Sequence, residues 1–230
     1  PPMSSTTDTA PQPGTEDADN QVVIARQAIL DESRAVFGYE LFDRSTAANT
    51  HTAASDAALL FNALCYAGSE ALGSKKIVFI NCTHESLAGG HLELIHPDKV
   101  VLEVPILAAN ATPDQIEQLL PTLQALRTRG FRLAFSQDVL RRAYANWLPL
   151  AAFIKLDMLA IKPELIEPLV KYVRANSQAT LIAEKVETAE QHERMAALGV
   201  KLFQGYWFAR PSMVKAQTIR PSQATIIQLI

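Results

Sequence analysis

Residues 180–208, TLIAEKVETAEQHERMAALGVKLFQGYWF, contain a complete strand–helix–strand unit. The apolar run 180–186 predicts a buried strand. Thr188 then supplies a helix N-cap with Gln191 as its capping-box partner, and a glycine ends the helix. The run 201–208 predicts the second strand. Two strands joined through a helix predict parallel pairing with a right-handed crossover.

The same alternation continues towards the N-terminus. Apolar, β-branched and aromatic residues over 22–30 and 35–42, around a polar break, predict a hairpin. The remaining strands are predicted at 76–82, 100–104, 132–135 and 153–156, and the helices at 53–67, between Thr112 and Gly130 with a kink at Pro121, and at 138–147, 163–175 and 188–198. Eight strands alternating with helices predict an α/β fold, a TIM-like (β/α)8 barrel with one antiparallel strand from the N-terminal hairpin.

The composition predicts one globular domain with a separate leader. The chain has 230 residues, of which 48% are hydrophobic and 20% charged, which suffices for one sizeable core. Residues 1–20 hold four of the thirteen prolines and four acids but no base, which predicts a disordered leader before a barrel domain over 21–211. The remainder is close to neutral, which argues against nucleic acid as a main partner.

The sequence predicts a cytoplasmic setting. No segment has the pattern of a signal peptide or of a transmembrane helix, so no membrane partner is expected. The two cysteines, Cys65 and Cys82, lack CxxC spacing. His84, His91 and His96 lie close together in the sequence, but their spacing matches no metal motif, and we interpret them as surface or loop histidines.

Polar side chains stand at or near the ends of seven predicted strands. In a parallel barrel the carboxyl ends of the strands meet at one mouth, where barrel enzymes place their chemistry. Polar groups could simply mark where each strand leaves the core, but convergence of carboxylates, amides and a lysine favours a functional site. These residues are Glu40, Asn81, Glu103, Ser136 with Gln137, Lys155, Glu184 and Gln204.

The segments that carry these residues resemble the EAL family of cyclic di-GMP phosphodiesterases. GYELFDR at 38–44 is similar to the signature that gives the family its name, with Glu40 and Arg44 in register, and ARQAIL at 25–30 resembles the opening strand, with Gln27 retained. The other similar segments are FINCTHESL at 79–87, VVLEV at 100–104, FIKLD at 153–157, IAEKVET at 182–188 with Glu184 and Glu187, and FQGYWFARP at 203–211.

The resemblance implies hydrolysis of cyclic di-GMP by two Mg²⁺ or Mn²⁺ ions, and this chain departs from it at one place. Two close cations need a bridging carboxylate, which the family takes from adjacent aspartates after the fifth strand. Ser136 and Gln137 stand there instead, and Asp138 lies too far along the chain to substitute. We therefore expect no catalytic residue and no bound metal or other cofactor, with Mg or Mn relevant only to residual activity.

The same resemblance implies a vestigial nucleotide and metal pocket. Its expected residues are Gln27, Glu40, Arg44, Asn81, Glu103, Ser136, Gln137, Lys155, Glu184, Glu187 and Gln204, with Glu40, Asn81 and Glu103 as vestigial metal ligands. Without metals the three glutamates are expected to repel a dianionic ligand.

Three functions remain open from the sequence. The first is a catalytically inactive EAL-like domain that acts as a regulatory or protein-interaction module in bacterial signal transduction. The second is a receptor that binds cyclic di-GMP without hydrolysis, and the third is a weak metal-dependent phosphodiesterase. The sequence also resembles proteins in which an EAL domain precedes a helical HDOD domain, so 212–230 is interpreted as a tail or the start of a linker to such a partner domain. A homodimer is a further expectation.

Overall fold

The computed structural model describes residues 23–43 and 76–215. The expected leader over 1–20, the predicted helix over 53–67 and Arg44 lie outside these residues. Of the expected tail over 212–230, only the first four residues are described.

One sheet that closes on itself forms the framework of the described residues. Its strands are β1 Val23–Leu30, β2 Val36–Asp43, β3 Ile77–Asn81, β4 Val100–Glu103, β5 Arg132–Ser136, β6 Ala151–Asp157, β7 Thr180–Glu184, β8 Leu202–Phe203 and β9 Ser212–Lys215. β2 to β8 pair in parallel in chain order, and β1 pairs antiparallel with both β2 and β8. This closure confirms the predicted barrel with its antiparallel hairpin strand. β9 pairs with β1, so the sheet continues past the boundary expected at residue 211.

Five α-helices of the described part of the chain connect these strands. They are α1 His84–Ala88, α2 Pro113–Gln118, α3 Leu120–Thr128, α4 Pro163–Asn176 and α5 Ala189–Ala197. The capping boxes predicted at Thr112 and Thr188 are both present. Where a kink was predicted at Pro121, the helix is interrupted at Leu119, which separates α2 from α3, because proline lacks the backbone donor that a continuous helix needs. None of the described helices combines the length and the apolar character needed to cross a membrane.

The helix predicted over 138–147 is wrong. Three short 3-10 turns occupy this region, at Gln137–Leu140, Arg142–Tyr144 and Leu148–Leu150. Arg141 has an extended backbone, with φ −66° and ψ 144°, so a helix cannot pass through it. Tertiary contacts fix the segment instead: Trp147 is fully buried, and its Nε1 donates a hydrogen bond to the carbonyl of Ile116 at 3.3 Å.

The last parallel strand is shorter than the predicted run over 201–208. Only two residues pair as β8, and Gly205 follows with a φ of 155°. A Cβ at this glycine would lie 2.3 Å from backbone atoms of Val186. Trp207 also donates its N–H to the Val186 carbonyl. The close approach of the two backbones therefore ends the strand, and it requires glycine at this position.

Two apolar clusters fill the protein. The larger lies between the strands and the surrounding helices, and Trp147 and Phe131 belong to it. The smaller fills the inside of the barrel with one side chain from each of seven strands. These side chains are Ile29, Phe79, Val101, Ala134, Phe153, Ile182 and Leu202.

Candidate functional site

The barrel strands place a layer of polar side chains directly above the apolar interior. Successive side chains of a strand point to opposite faces, so residues two apart share a face. Each interior apolar residue is therefore followed, two positions on, by a side chain that faces the mouth. The pairs are Phe79 with Asn81, Val101 with Glu103, Ala134 with Ser136, Phe153 with Lys155, Ile182 with Glu184, Leu202 with Gln204 and, in the reverse direction on antiparallel β1, Ile29 with Gln27.

This polar layer borders a cavity of about 620 Å³ at the carboxyl ends of the strands. Such a volume is typical of small-molecule sites. Most of the site residues expected from the sequence line it: Gln27, Glu40, Asn81, Glu103, Ser136, Lys155, Glu184, Glu187 and Gln204. Gln137 is not among the lining residues. The exposed side chains of Leu159 and Tyr206 form part of the apolar border of the cavity.

Lys155 lies at the centre of the polar layer. Its Nζ is 2.8 Å from Glu40 Oε2, 2.9 Å from Glu103 Oε1 and 3.1 Å from Glu184 Oε2. The lysine side chain is only 7% exposed, so these ion pairs are shielded from water. The repulsion that these three glutamates are expected to exert on a dianionic ligand is therefore partly offset by a cation of the protein itself.

Amide side chains complete the coordination of Glu40. Asn81 Nδ2 donates to Glu40 Oε1 at 2.9 Å, and Gln204 Nε2 donates to Glu40 Oε2 at 2.7 Å. The same Gln204 Nε2 also donates to Gln27 Oε1 at 3.0 Å, while Gln27 donates to the carbonyl of Ala209. Gln204 Oε1 is buried and receives no hydrogen bond from the described residues. These contacts hold the Glu40 carboxylate in one orientation.

Burial and the neighbouring charges give the polar layer unequal protonation. Burial, together with the charge of Glu40, raises the pKa of Glu103 to about 8. Burial acts in the same direction on Glu40, but the charge and hydrogen bond of Lys155 outweigh it and lower the pKa of Glu40. Burial would lower the pKa of Lys155, but the glutamates around it raise that pKa well above its ordinary value. Burial therefore favours the protonated form of Glu103, whereas Lys155 favours the ionised form of Glu40 and the glutamates favour the charged form of the lysine.

At the end of β5, residues 136–138 contribute no charged group to the cavity. Gln137 turns aside, and its Oε1 accepts a hydrogen bond from the backbone N–H of Asp157 at 3.2 Å. Ser136 lines the cavity, and its Oγ accepts from the backbone N–H of Asp138 at 3.4 Å. The carboxylate of Asp138 is exposed and lies 3.8 Å from Arg141 Nε. No carboxylate from 136–138 lines the cavity.

The oxygen atoms of Glu40, Asn81 and Glu103 are the donors most suited to a hard cation at this mouth. Both glutamates are bonded to Lys155, and Asn81 presents its amide nitrogen to Glu40. Within 23–43 and 76–215, no group of three or more His, Cys, Asp and Glu side chains is arranged to hold a metal ion.

A second lysine, Lys185, borders the same cavity and was not assigned a role from the sequence. Its Nζ lies 2.6 Å from Oδ2 of Asp157, at the end of β6. The hydrogen bond that Lys185 donates to Asp157 raises the pKa of Lys185. Its backbone has a φ of 55°, which lies in a region that residues other than glycine seldom adopt. The segment IAEKVET at 182–188 resembles a family segment that has glycine where Lys185 stands, and this difference was the only signal in the sequence for the position.

A model of the family described as EAL domain matches residues 76–211, which is more than half of the chain. The cyclic di-GMP phosphodiesterase CdgJ of Vibrio cholerae is 29% identical over 224 residues, which cover 93% of this chain and 50% of that protein. The uncharacterized protein YuxH of Bacillus subtilis is 25% identical and covers 86% of this chain and 49% of its own length. This chain thus spans about half the length of these curated relatives.

Solved structures show the same fold. The calcium/cy-diGMP complex of Klebsiella pneumoniae BlrP1 superposes with a TM-score of 0.66 at 22% identity, over 91% of this chain and 60% of that one. An EAL domain protein of Listeria monocytogenes superposes with a TM-score of 0.63 at 18% identity, over 82% of this chain and 87% of that one.

Proposed function

This chain belongs to the EAL domain family, and from that premise we propose that it is a non-hydrolysing member that acts as a regulatory module through protein contacts. The observation that carries the proposal is the end of β5. Ser136 is the only side chain from 136–138 that lines the cavity, and it carries no charge.

The charge of the site supports this proposal. Two hard cations about 4 Å apart repel each other unless an anionic ligand lies between them. A serine hydroxyl supplies no negative charge, and Gln137 is engaged with the Asp157 backbone. Mg²⁺ also gives up its water reluctantly to neutral ligands. The residues present therefore fit a metal pair poorly.

The position of Lys155 also disfavours a bound metal ion. A cation that entered between Glu40 and Glu103 would compete with an ammonium group already 2.8 Å and 2.9 Å from their oxygens. Protonation of Glu103 would also compete with a metal ion, because burial raises the pKa of that carboxyl to about 8. Without a metal ion, Lys155 thus compensates part of the negative charge of these glutamates.

A receptor for cyclic di-GMP is the second candidate function. The cavity of about 620 Å³ at the mouth favours it, because its polar border is retained apart from the end of β5. Lys155 and Lys185 place two ammonium groups on this border, and ammonium groups pair readily with phosphate. We propose cyclic di-GMP as the ligand because the names of similar proteins include it.

The setting of the domain is a proposal of the same kind. We infer that it works in the cytoplasm on a protein partner, either a linked helical domain of HDOD type or a separate protein. Self-association into a homodimer is a further part of this proposal.

Calorimetric titration with cyclic di-GMP, followed by chromatography of the same samples, tests these functions. The chain is titrated in Mg²⁺, Mn²⁺ and Ca²⁺, and each sample is then analysed for linear product. We expect no linear product under any condition. Binding without product supports the receptor, whereas absence of both leaves the protein-interaction module. Metal-dependent product would overturn the proposal and favour the weak phosphodiesterase, for which Glu40, Asn81 and Glu103 are the expected metal ligands.

A charge-restoring variant is the matched control. Ser136→Asp with Gln137→Asp returns two carboxylates to the chain positions where the family has them. We expect this double variant to remain inactive, because the 3-10 turns over 137–150 hold residue 137 away from the cavity. Robust hydrolysis by the double variant would show that charge alone had been lost.

A further inference from the structure

The backbone of Lys185 is held in a conformation that a lysine adopts only at a cost. Its φ of 55° lies in the left-handed region, where a Cβ crowds the backbone. The next residue, Val186, donates its N–H to the carbonyl of Gln204 and accepts from the N–H of Trp207. The neighbouring segment therefore fixes this turn whatever side chain stands at 185. Glycine would fit this turn without strain, so the backbone conformation gives no reason for a lysine at this position.

Asp157, the partner of Lys185, has hydrogen-bond donors other than this lysine. Asp157 Oδ1 accepts hydrogen bonds from the backbone N–H groups of Leu159 at 2.8 Å and Ala160 at 3.0 Å. Only Oδ2 is paired with Lys185. The lysine side chain is 55% exposed, whereas that of Asp157 is 13% exposed. Lys185 can therefore leave the ion pair for a ligand while the buried carboxylate keeps two donors.

The charges at the mouth explain what such a lysine is suited to bind. Lys155 is committed to three glutamates, so its charge is largely neutralised within the polar layer. Glu184 and Glu187 add negative charge to the border of the cavity. Among the cavity-lining residues, Lys185 is then the ammonium group that has a single carboxylate partner and is also open to solvent.

We propose that Lys185 binds a phosphate group of a cyclic dinucleotide at this mouth, exchanging Asp157 for the phosphate and making binding independent of metal ions. This inference rests on the receptor, the second candidate function above. A rigid backbone at its base and an exposed ammonium at its tip let the side chain swing between the two anionic partners. Asp157 thereby competes with the ligand and sets its affinity.

Two substitutions distinguish this role from a purely structural ion pair. Lys185→Asn removes the charge and introduces a residue that tolerates left-handed backbone. Asp157→Asn keeps an Oδ1 acceptor for the two backbone donors and releases Lys185. A structural pair would make both variants less stable and leave affinity unchanged. A ligand-binding lysine makes their effects on affinity opposite in sign.

The measurement is calorimetric titration of the full chain with cyclic di-GMP in EDTA, for wild type and both variants. We expect Lys185→Asn to weaken binding by about tenfold, the factor of one lost charge-assisted contact, and Asp157→Asn to tighten it. Thermal unfolding of Lys185→Gly serves as a folding control, since this variant relieves backbone strain and should unfold no earlier than wild type.

The outcomes separate this inference from the proposed function. Equal affinity of wild type and Lys185→Asn, or wild-type binding that requires Mg²⁺, would overturn the role of Lys185. Absence of any wild-type binding would overturn it as well and leave the protein-interaction module standing. Linear product in Mn²⁺ would instead contradict the non-hydrolysing function, and the two variants would still report on Lys185.

Discussion

At the scale of single residues, buried charge governs the polar layer at the mouth. Glu40, Glu103 and Glu184 surround one ammonium, and each was chosen from the sequence because it stands at a strand end. The convergence of the strand ends at one mouth of a parallel barrel made that choice reliable. The identity of each partner was beyond the sequence, because pairing depends on side-chain directions across four strands. The left-handed conformation of Lys185 depends on contact with residues 204–207, and only the glycine that the similar family segment has at this position hinted at it.

Removal of the Lys155 charge is expected to destabilise the barrel. Lys155→Met leaves buried carboxylates without their cation, which should lower the free energy of unfolding by about 3–5 kcal/mol. Urea denaturation at pH 7 measures this change. Lys171→Met is the matched control, because its pair with Glu167 at 2.8 Å is on the surface of α4 and should contribute little. Equal losses in the two variants would contradict our account of the polar layer.

Glu103 predicts a pH dependence of stability. Its pKa is about 8 in the folded protein against an ordinary value of 4.5, so between these pH values the folded state holds a proton that the unfolded state has released. Stability from this group is complete below pH 4.5 and is lost as the pH rises towards 8. The slope is at most about 1.4 kcal/mol per pH unit for one proton. Urea midpoints from pH 5 to pH 9 measure it, and Glu103→Gln should flatten the curve.

At the scale of elements, the segment after β5 shows where sequence patterns stop being sufficient. The capping boxes at Thr112 and Thr188 fix their helices locally, and both were predicted. The segment over 137–150 has apolar residues at helix-like spacing, yet Arg141 is extended. Its conformation is decided by contacts with α2 and with the loop that precedes α2, such as the hydrogen bond from the Leu107 N–H to the Tyr144 hydroxyl at 3.1 Å. Interactions at that distance along the chain leave no local signal.

Trp147 should therefore be the main stabilising residue of this segment. Its ring is fully buried and meets that of Tyr144 edge-on at 4.9 Å. We expect Trp147→Ala to cost about 3–5 kcal/mol in chemical denaturation. Trp147→Phe keeps most of the packing but loses the hydrogen bond to Ile116, and it should cost about 1 kcal/mol. Similar values for the two variants would assign the stabilisation to the hydrogen bond alone.

At the scale of the whole molecule, closure of the barrel depends on β1. This strand pairs with β2 and β8, and its first half pairs with β9. Without β9, the residues Val23–Arg26 would present unpaired backbone groups at a strand edge, which favours aggregation. A chain that ends at residue 211 should therefore have a lower urea midpoint and stronger light scattering than a chain that ends at residue 215. Identical behaviour of the two would show that β9 contributes nothing to closure.

The register of β1 also fixes where the polypeptide joins its flanks. Val23 pairs with Lys215, and along the same strand Gln27 pairs with Glu40, so both junctions stand on the mouth side of the barrel. The doorway through which a nucleotide would enter is thus the place from which the polypeptide departs in both directions. Whatever is joined to Val23 or to Lys215 is therefore attached at the cavity end of the barrel, and a change at the cavity need not cross the barrel to reach either junction.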